Sequence, residues 1–162
     1  MRRLILSCAV AIASASAAAP AQQAMIVYDT ALGPGWQNWS WATTELSVEL
    51  NGSARRPIRV EAGPWQALYL HHDPFSAASY KKLSFLIQGS PPGGQQVKIF
   101  LVAGGKPLGQ GKPMTLSASG WTKVEAALPK IAPGDPPLDG IWIQNATDQV
   151  LPHFYVTEIA LN

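Results

Sequence analysis

The chain has 162 residues, 47% of them hydrophobic and 14% charged, with a formal net charge of +2 and one cysteine, Cys8. A chain of this length has room for one domain with its own core. A lone cysteine excludes an internal disulfide framework, and the near-balanced charge offers no basic stripe for nucleic acid.

The N-terminus reads as a secretory signal. Arg2 and Arg3 precede an apolar run, Leu4 to Ala13, and a small-residue stretch follows. Ala19-Pro20-Ala21 fits the small-x-small cleavage pattern, so residues 1–21 are expected to be removed before Gln22. The apolar run is too short to cross ~30 Å of hydrocarbon as a helix, and no later segment is long or apolar enough to span a membrane. Cys8 lies in the middle of the run rather than after it, which argues against a lipid anchor. Processing would remove the only thiol and both Arg2 and Arg3. The mature part, 22–162, then carries ten basic and ten acidic residues and is expected in the periplasm or outside the cell.

The mature part alternates with a period of two. Leu46, Val48 and Leu50 form a first apolar row, followed by Ile58 and Val60, then Leu68 and Leu70. Leu83, Phe85 and Ile87, then Val97, Ile99 and Leu101, continue the pattern. Val124, Ala126 and Leu128, then Ile141 and Ile143, and finally Tyr155, Ile159 and Leu161 complete it. Such alternation buries one face of each strand. Turn residues separate the rows at Gly33-Pro34-Gly35, Asn51-Gly52, Gly63-Pro64, 91–94, Gly104-Gly105 and 133–137. No long window has helical spacing free of Pro and Gly. The expected fold is all-β: a two-sheet jelly-roll sandwich of eight to ten mostly antiparallel strands in one domain.

The faces opposite the core rows carry the candidate site. On a strand from Trp65 to His72, Trp65, Tyr69 and His71 share the non-core face; on the strand around Ile141, Trp142 and Gln144 do so. Ser84 and Gln88, and Lys98 and Phe100, are expected to point the same way on their own strands. Trp36, Trp39 and Trp41 form the densest aromatic cluster, beside Gly33-Pro34-Gly35. Aromatic rings mixed with hydrogen-bonding side chains suit a sugar, whose ring has apolar C–H faces and a rim of hydroxyls. The same tryptophans also suit a second role, filling the core or plugging the open end of a sheet. Trp121, at the start of a strand, is expected to pack at an edge.

Signals for catalysis are weak. His71 and His72 are adjacent, so on a strand they point to opposite faces and do not chelate one ion. The ten acidic residues are scattered singly, and a small hydrolase or lyase would need carboxylates such as Glu61, Asp73 and Glu158, or a Tyr/His pair with a base, to converge in a groove. The Gly-rich turns precede no helix and are not phosphate loops.

Several segments, in order, resemble a known type of domain. They are Val27-Tyr28-Asp29-Thr30-Ala31-Leu32, then 35–41, Trp65 to His72, Tyr80 to Phe85, Gly94 to Val97, Trp121 to Val124, Gly140 to Asn145 and Phe154 to Leu161. Together they resemble the galactose-binding-like β-jelly-roll domains of secreted bacterial proteins, which look like carbohydrate-binding modules. The resemblance implies a non-catalytic carbohydrate binder; the domain is expected to be a monomer with no cofactor apart from a structural Ca²⁺. Related jelly rolls often hold a structural Ca²⁺ near their termini through a Tyr-Val-Asp-Asp-Ile pattern. Here Thr157 and Glu158 occupy the two Asp positions, leaving Asp29 and Glu158 as the Ca²⁺ ligands the resemblance suggests. The expected function is recognition of a poly- or oligosaccharide through Trp65, Tyr69, His71, Trp142, Gln144, Trp36, Trp39 and Trp41. The alternative is an extracellular or envelope protein-interaction module that uses the same aromatic surface.

Overall fold

A computed structural model describes residues 23–162, and the expected signal segment 1–21 lies outside them. Twelve strands and one short helix make up the described chain. The strands are β1 (Met25–Tyr28), β2 (Gln37–Asn38), β3 (Thr43–Glu45), β4 (Ile58–Glu61), β5 (Ala67–Phe75) and β6 (Lys82–Gly89), followed by β7 (Gln96–Ala103), β8 (Lys106–Pro107), β9 (Lys112–Thr115) and β10 (Thr122–Ala127). After the single turn of helix α1 (Leu128–Ile131) come β11 (Leu138–Asn145) and β12 (Phe154–Leu161). The count exceeds the expected eight to ten because β2 and β8 are two-residue strands, too short to leave a period in the sequence.

The strands form two antiparallel sheets. The first has the order β10-β6-β12-β4-β3, with β1 beside β4 on the same edge of β12. The second has the order β2-β5-β11-β7-β8, with β9 beside β8 on the outer edge of β7. The inner faces bury the alternating rows, among them Ile58, Val60, Leu68, Leu70, Leu83, Phe85, Ile99, Leu101, Ile141 and Ile143. Two filled inner faces without thiols make apolar burial the main stabilising term.

Two of the expected core rows are placed differently. Residues 46–50 form no strand: Leu46 is exposed, and Ser47 turns the chain with a φ of 59°. The Ser47 amide donates to the Tyr28 hydroxyl at 2.9 Å, and that hydroxyl donates to the Arg56 carbonyl at 2.7 Å. One buried phenol thus ties the irregular segment 47–56 to the first strand. In β12 the buried pair before the bulge is Phe154 and Val156, and Tyr155 faces outward beside His153. The pairing with β6 shifts between Thr157 and Ala160, where Glu158 has a φ of 52°. That bulge changes the phase, so Ile159 and Leu161 return to the core. A strict period of two cannot anticipate an inserted residue.

Tyr28→Phe should lower stability by about 1–2 kcal/mol, because the Ser47 amide and Arg56 carbonyl lose their partner. Burial pushes the Tyr28 phenol above its ordinary value of 10.0; the Ser47 hydrogen bond opposes this and Asp29 adds to it. The folded chain therefore keeps this proton after the unfolded chain has lost it. The contribution is complete below about pH 10 and falls away as pH rises through the folded-state value. Urea midpoints at neutral pH and at about pH 10.5 check both points: Tyr28→Phe should start lower and lose less on the way up.

Candidate functional site

The outer face of the second sheet carries the aromatic residues. In register across it, Trp142 of β11 lies between Tyr69 of β5 and Phe100 of β7, and Gln144 lies between Ala67 and Lys98. Ser84 and Gln88 lie on β6, in the other sheet, and take no part in this face. Ser84 instead accepts a hydrogen bond from Asn162.

The segment 37–41 lines the free edge of β5. Gln37 and Asn38 pair with His71 and Leu70, and beyond them the Trp39 amide donates to the Tyr69 carbonyl at 2.9 Å and the Trp41 amide to the Ala67 carbonyl at 3.2 Å. Residues 39 and 41 are two apart on an extended chain, so both indoles fall on the outer face. Ser40 points the other way in hydrogen-bonding terms: its hydroxyl donates to Asn38 Oδ1 and accepts from the Tyr69 amide. These contacts fix the edge segment without using the indole faces.

The rings form two tiers. Tyr69 and Phe100 are buried and Trp142 is half-buried, whereas Trp39 and Trp41 are 53% and 41% exposed. Trp41 meets Trp142 edge-on with centroids 4.9 Å apart, and Tyr69 meets Trp142 at 5.5 Å in the same way. Trp39 stacks on the His71 ring at 3.6 Å, within 3° of parallel, and meets Tyr69 edge-on at 6.0 Å. Edge-to-face and stacked pairs each contribute about 0.5–1.5 kcal/mol beyond area burial. The lower tier therefore orients the upper one. Close fits complete it: a Cβ on Gly140 would overlap the Tyr69 ring, and one on Gly111 would overlap Phe100.

Trp65 stands at the end of this face. It lies in the turn before β5, not on the expected strand, with a φ of 59° that non-glycine residues seldom adopt. Its carbonyl accepts from Gln144 Nε2 at 2.8 Å and from Trp41 Nε1 at 3.2 Å, and its amide donates to the Thr147 carbonyl at 3.3 Å. Two residues of the aromatic face thus hold a strained backbone whose own indole is 55% exposed.

Trp36 departs from the expected cluster. It is buried in the core, with His72 at 5.1 Å and Phe75 at 6.0 Å between ring centroids. Gly35, at a φ of 79°, leaves the room that His72 occupies. His71 and His72 thus lie on opposite faces, as strand geometry requires. Trp121, half-buried, has the Arg55 guanidinium 5.9 Å from its ring centre.

The face also holds unpaired polar atoms. Among the described residues Tyr69 Oη, His71 Nδ1 and Trp142 Nε1 are buried and have no hydrogen-bond partner. Burial raises the Tyr69 pKa above 10.0, and the Asp139 carboxylate adds to the shift, so this phenol remains a donor at ordinary pH. Phe100 lies on this face as expected, but its burial under the loop that packs Gly111 on it left no signal in the sequence.

The carboxylates Glu61, Asp73 and Glu158 do not converge on this face, whereas Tyr69 and His71 meet edge-on with ring centroids 5.8 Å apart, near the Asp139 carboxylate. Glu61 pairs with Arg59 and Glu158 with Arg55, both on the other sheet, and Asp73 is exposed near the end of β5. Asp29 and Glu158 line one shallow depression, but Arg55 holds Glu158 at 2.6 Å and the Thr157 hydroxyl donates to the Asp29 carbonyl at 2.9 Å. A hard cation bound there would compete with the Arg55 guanidinium for the Glu158 carboxylate. Among the described residues no three His, Cys, Asp or Glu side chains cluster to hold an ion.

Solved structures share this architecture. A variant of a family 29 carbohydrate-binding module superposes with a TM-score of 0.61 at 16% identity, over 87% of this chain and 92% of that one. A variant described as complexed with cellulohexaose gives 0.61 at 15% identity, over 86% and 89%. Another, complexed with mannohexaose, gives 0.59 at 17%, over 86% and 90%. The chain thus has the β-sandwich jelly-roll fold of carbohydrate-binding modules. No family model matches it. An endoglucanase of Dictyostelium discoideum is 24% identical over 148 residues, 85% of this chain. The chain spans 21% of that protein's length.

Trp65→Asn should keep the domain folded, with a melting midpoint within a few degrees of the parent. Asn tolerates the left-handed backbone, and the lost indole is more than half exposed. Differential scanning calorimetry checks it; a large loss of stability would show that the ring packs rather than projects.

Proposed function

We propose that this domain is a non-catalytic glycan-binding module that takes a sugar chain along Trp39, Trp41 and Trp65. One observation carries the reading. Three indoles are 41–55% exposed on one edge of a sheet and are held there by a buried aromatic tier and by hydrogen bonds. Water penalises such exposure unless something covers the rings. Pyranose rings suit rigid, separated indoles, since each offers a C–H face for stacking and hydroxyls for nearby polar groups. Gln37, which accepts from Trp39 Nε1, and Lys98 at the rim supply orientation. The neighbours' cellulohexaose and mannohexaose complexes support a chain of neutral β-linked hexoses as the ligand class. The acidic residues weighed for catalysis lie apart, which supports binding without hydrolysis. The reading further places the domain outside the cytoplasm as a monomer, with no cofactor; among the described residues no helix is long and apolar enough to cross a membrane.

Isothermal titration with cellohexaose and mannohexaose tests the reading. Trp39→Ala and Trp41→Ala should each weaken binding about tenfold, in line with about 1–2 kcal/mol for a central aromatic anchor. Trp65→Asn should weaken the hexaoses more than the trioses, because Trp65 lies at the end of the row. Trp121→Ala should leave affinity unchanged. Unaltered affinity in folded Trp39 and Trp41 variants would refute the site. Blank titrations together with capture of one protein partner through these rings would favour the protein-interaction reading.

A further inference from the structure

The opposite edge of the sandwich carries a different chemistry. β9 borders the second sheet far from Trp39 and Trp41, and β10 borders the first. Between them lies a cleft of about 560 Å³, lined by Lys82, Lys112, Glu125 and Lys130 over an apolar floor that includes Pro113 and Ala127. Its volume falls within the range of small-ligand sites, about 300–1,000 Å³.

Charge is concentrated here in an otherwise balanced domain. Four of the chain's seven lysines, Lys82, Lys112, Lys123 and Lys130, come from four separate segments and surround a single carboxylate. Glu125 is engaged: Lys82 Nζ lies 2.8 Å and Lys123 Nζ 3.1 Å from its Oε1. Both hold its carboxyl below the usual range, Lys82 foremost, so it stays ionised and neutralises one lysine. Among the described residues Lys112 and Lys130 have no carboxylate within ion-pair distance. Lysines on edge strands also discourage strand-to-strand aggregation. That role does not require Lys82, on the interior strand β6, and Lys130, on helix α1, to face the same hollow. A concave site whose net charge is positive, as four lysines around one carboxylate make it, focuses the field on an anion.

We propose that this cleft binds the carboxylate-bearing sugar of an acidic glycan, a uronate residue. Lys112 and Lys130 would take the carboxylate through charge-assisted hydrogen bonds, and the apolar floor would take the C–H face of the ring. The site is separate from the tryptophan edge and stands or falls independently of it.

The experiment is an amide-resolved NMR titration of the folded domain with trigalacturonate, with its fully methyl-esterified counterpart as the uncharged control. The acid should shift the amides of Gly111, Ala126 and Ala127, and the ester should not. Lys112→Gln and Lys130→Gln should each weaken binding about tenfold, added salt should weaken it further, and Glu125→Gln should tighten it. Trp41→Ala should leave it unchanged. No shifts at these amides at millimolar ligand, equal shifts from the ester, or unaltered affinity in both lysine variants would overturn the proposal. So would tighter binding of inorganic phosphate or a short oligonucleotide in the same cleft.

Discussion

Hydrogen bonding of the 37–41 segment along β5 governs the exposed aromatic surface. The Trp39 and Trp41 amides bond to Tyr69 and Ala67 carbonyls, which fixes the phase of the segment relative to the sheet. A slip of one residue would send both indoles to the other side and bring Ser40 to the surface. Trp41 Nε1 then reaches the Trp65 carbonyl and, with Gln144, holds that residue's unusual backbone. Edge segment, buried rings and turn therefore form one mechanical unit.

The two faces of the second sheet obey opposite requirements. The inner face fills the sandwich with Leu68, Leu70, Ile141, Ile143, Ile99 and Leu101. The outer face carries the large residues Tyr69, Trp142 and Phe100 at the intervening positions, partly covered by the upper tier of indoles. A protein that needed only solubility there would carry small polar groups. Building rings on a rigid sheet limits the ordering cost when a ligand binds, because few rotamers remain to be frozen.

Much of this was legible in the sequence because a period of two is a direct consequence of strand geometry. It identified most core rows, and it placed Tyr69, His71, Trp142 and Gln144 on one face. It failed where the chain departs from regular pairing. The Ser47 turn removes 46–50 from any strand, the bulge at Glu158 moves Tyr155 outward, and Trp65 belongs to a turn rather than to β5. Trp36 was not separable from Trp39 and Trp41 by composition; its burial depends on Gly35 yielding space to His72. The lysine cleft was likewise invisible, since 82, 112, 123 and 130 share no local pattern and meet only across the sandwich edge. A neutral sum concealed a strongly uneven distribution of charge.

A crystal structure of the domain with cellohexaose or mannohexaose shows whether Trp39, Trp41 and Trp65 form one continuous surface for a sugar chain. Successive pyranose rings should lie flat on Trp39 and Trp41, with the chain continuing toward Trp65 and the Trp39–His71 stack intact beneath. A well-ordered oligosaccharide bound elsewhere, with these three indoles left bare, would contradict this placement.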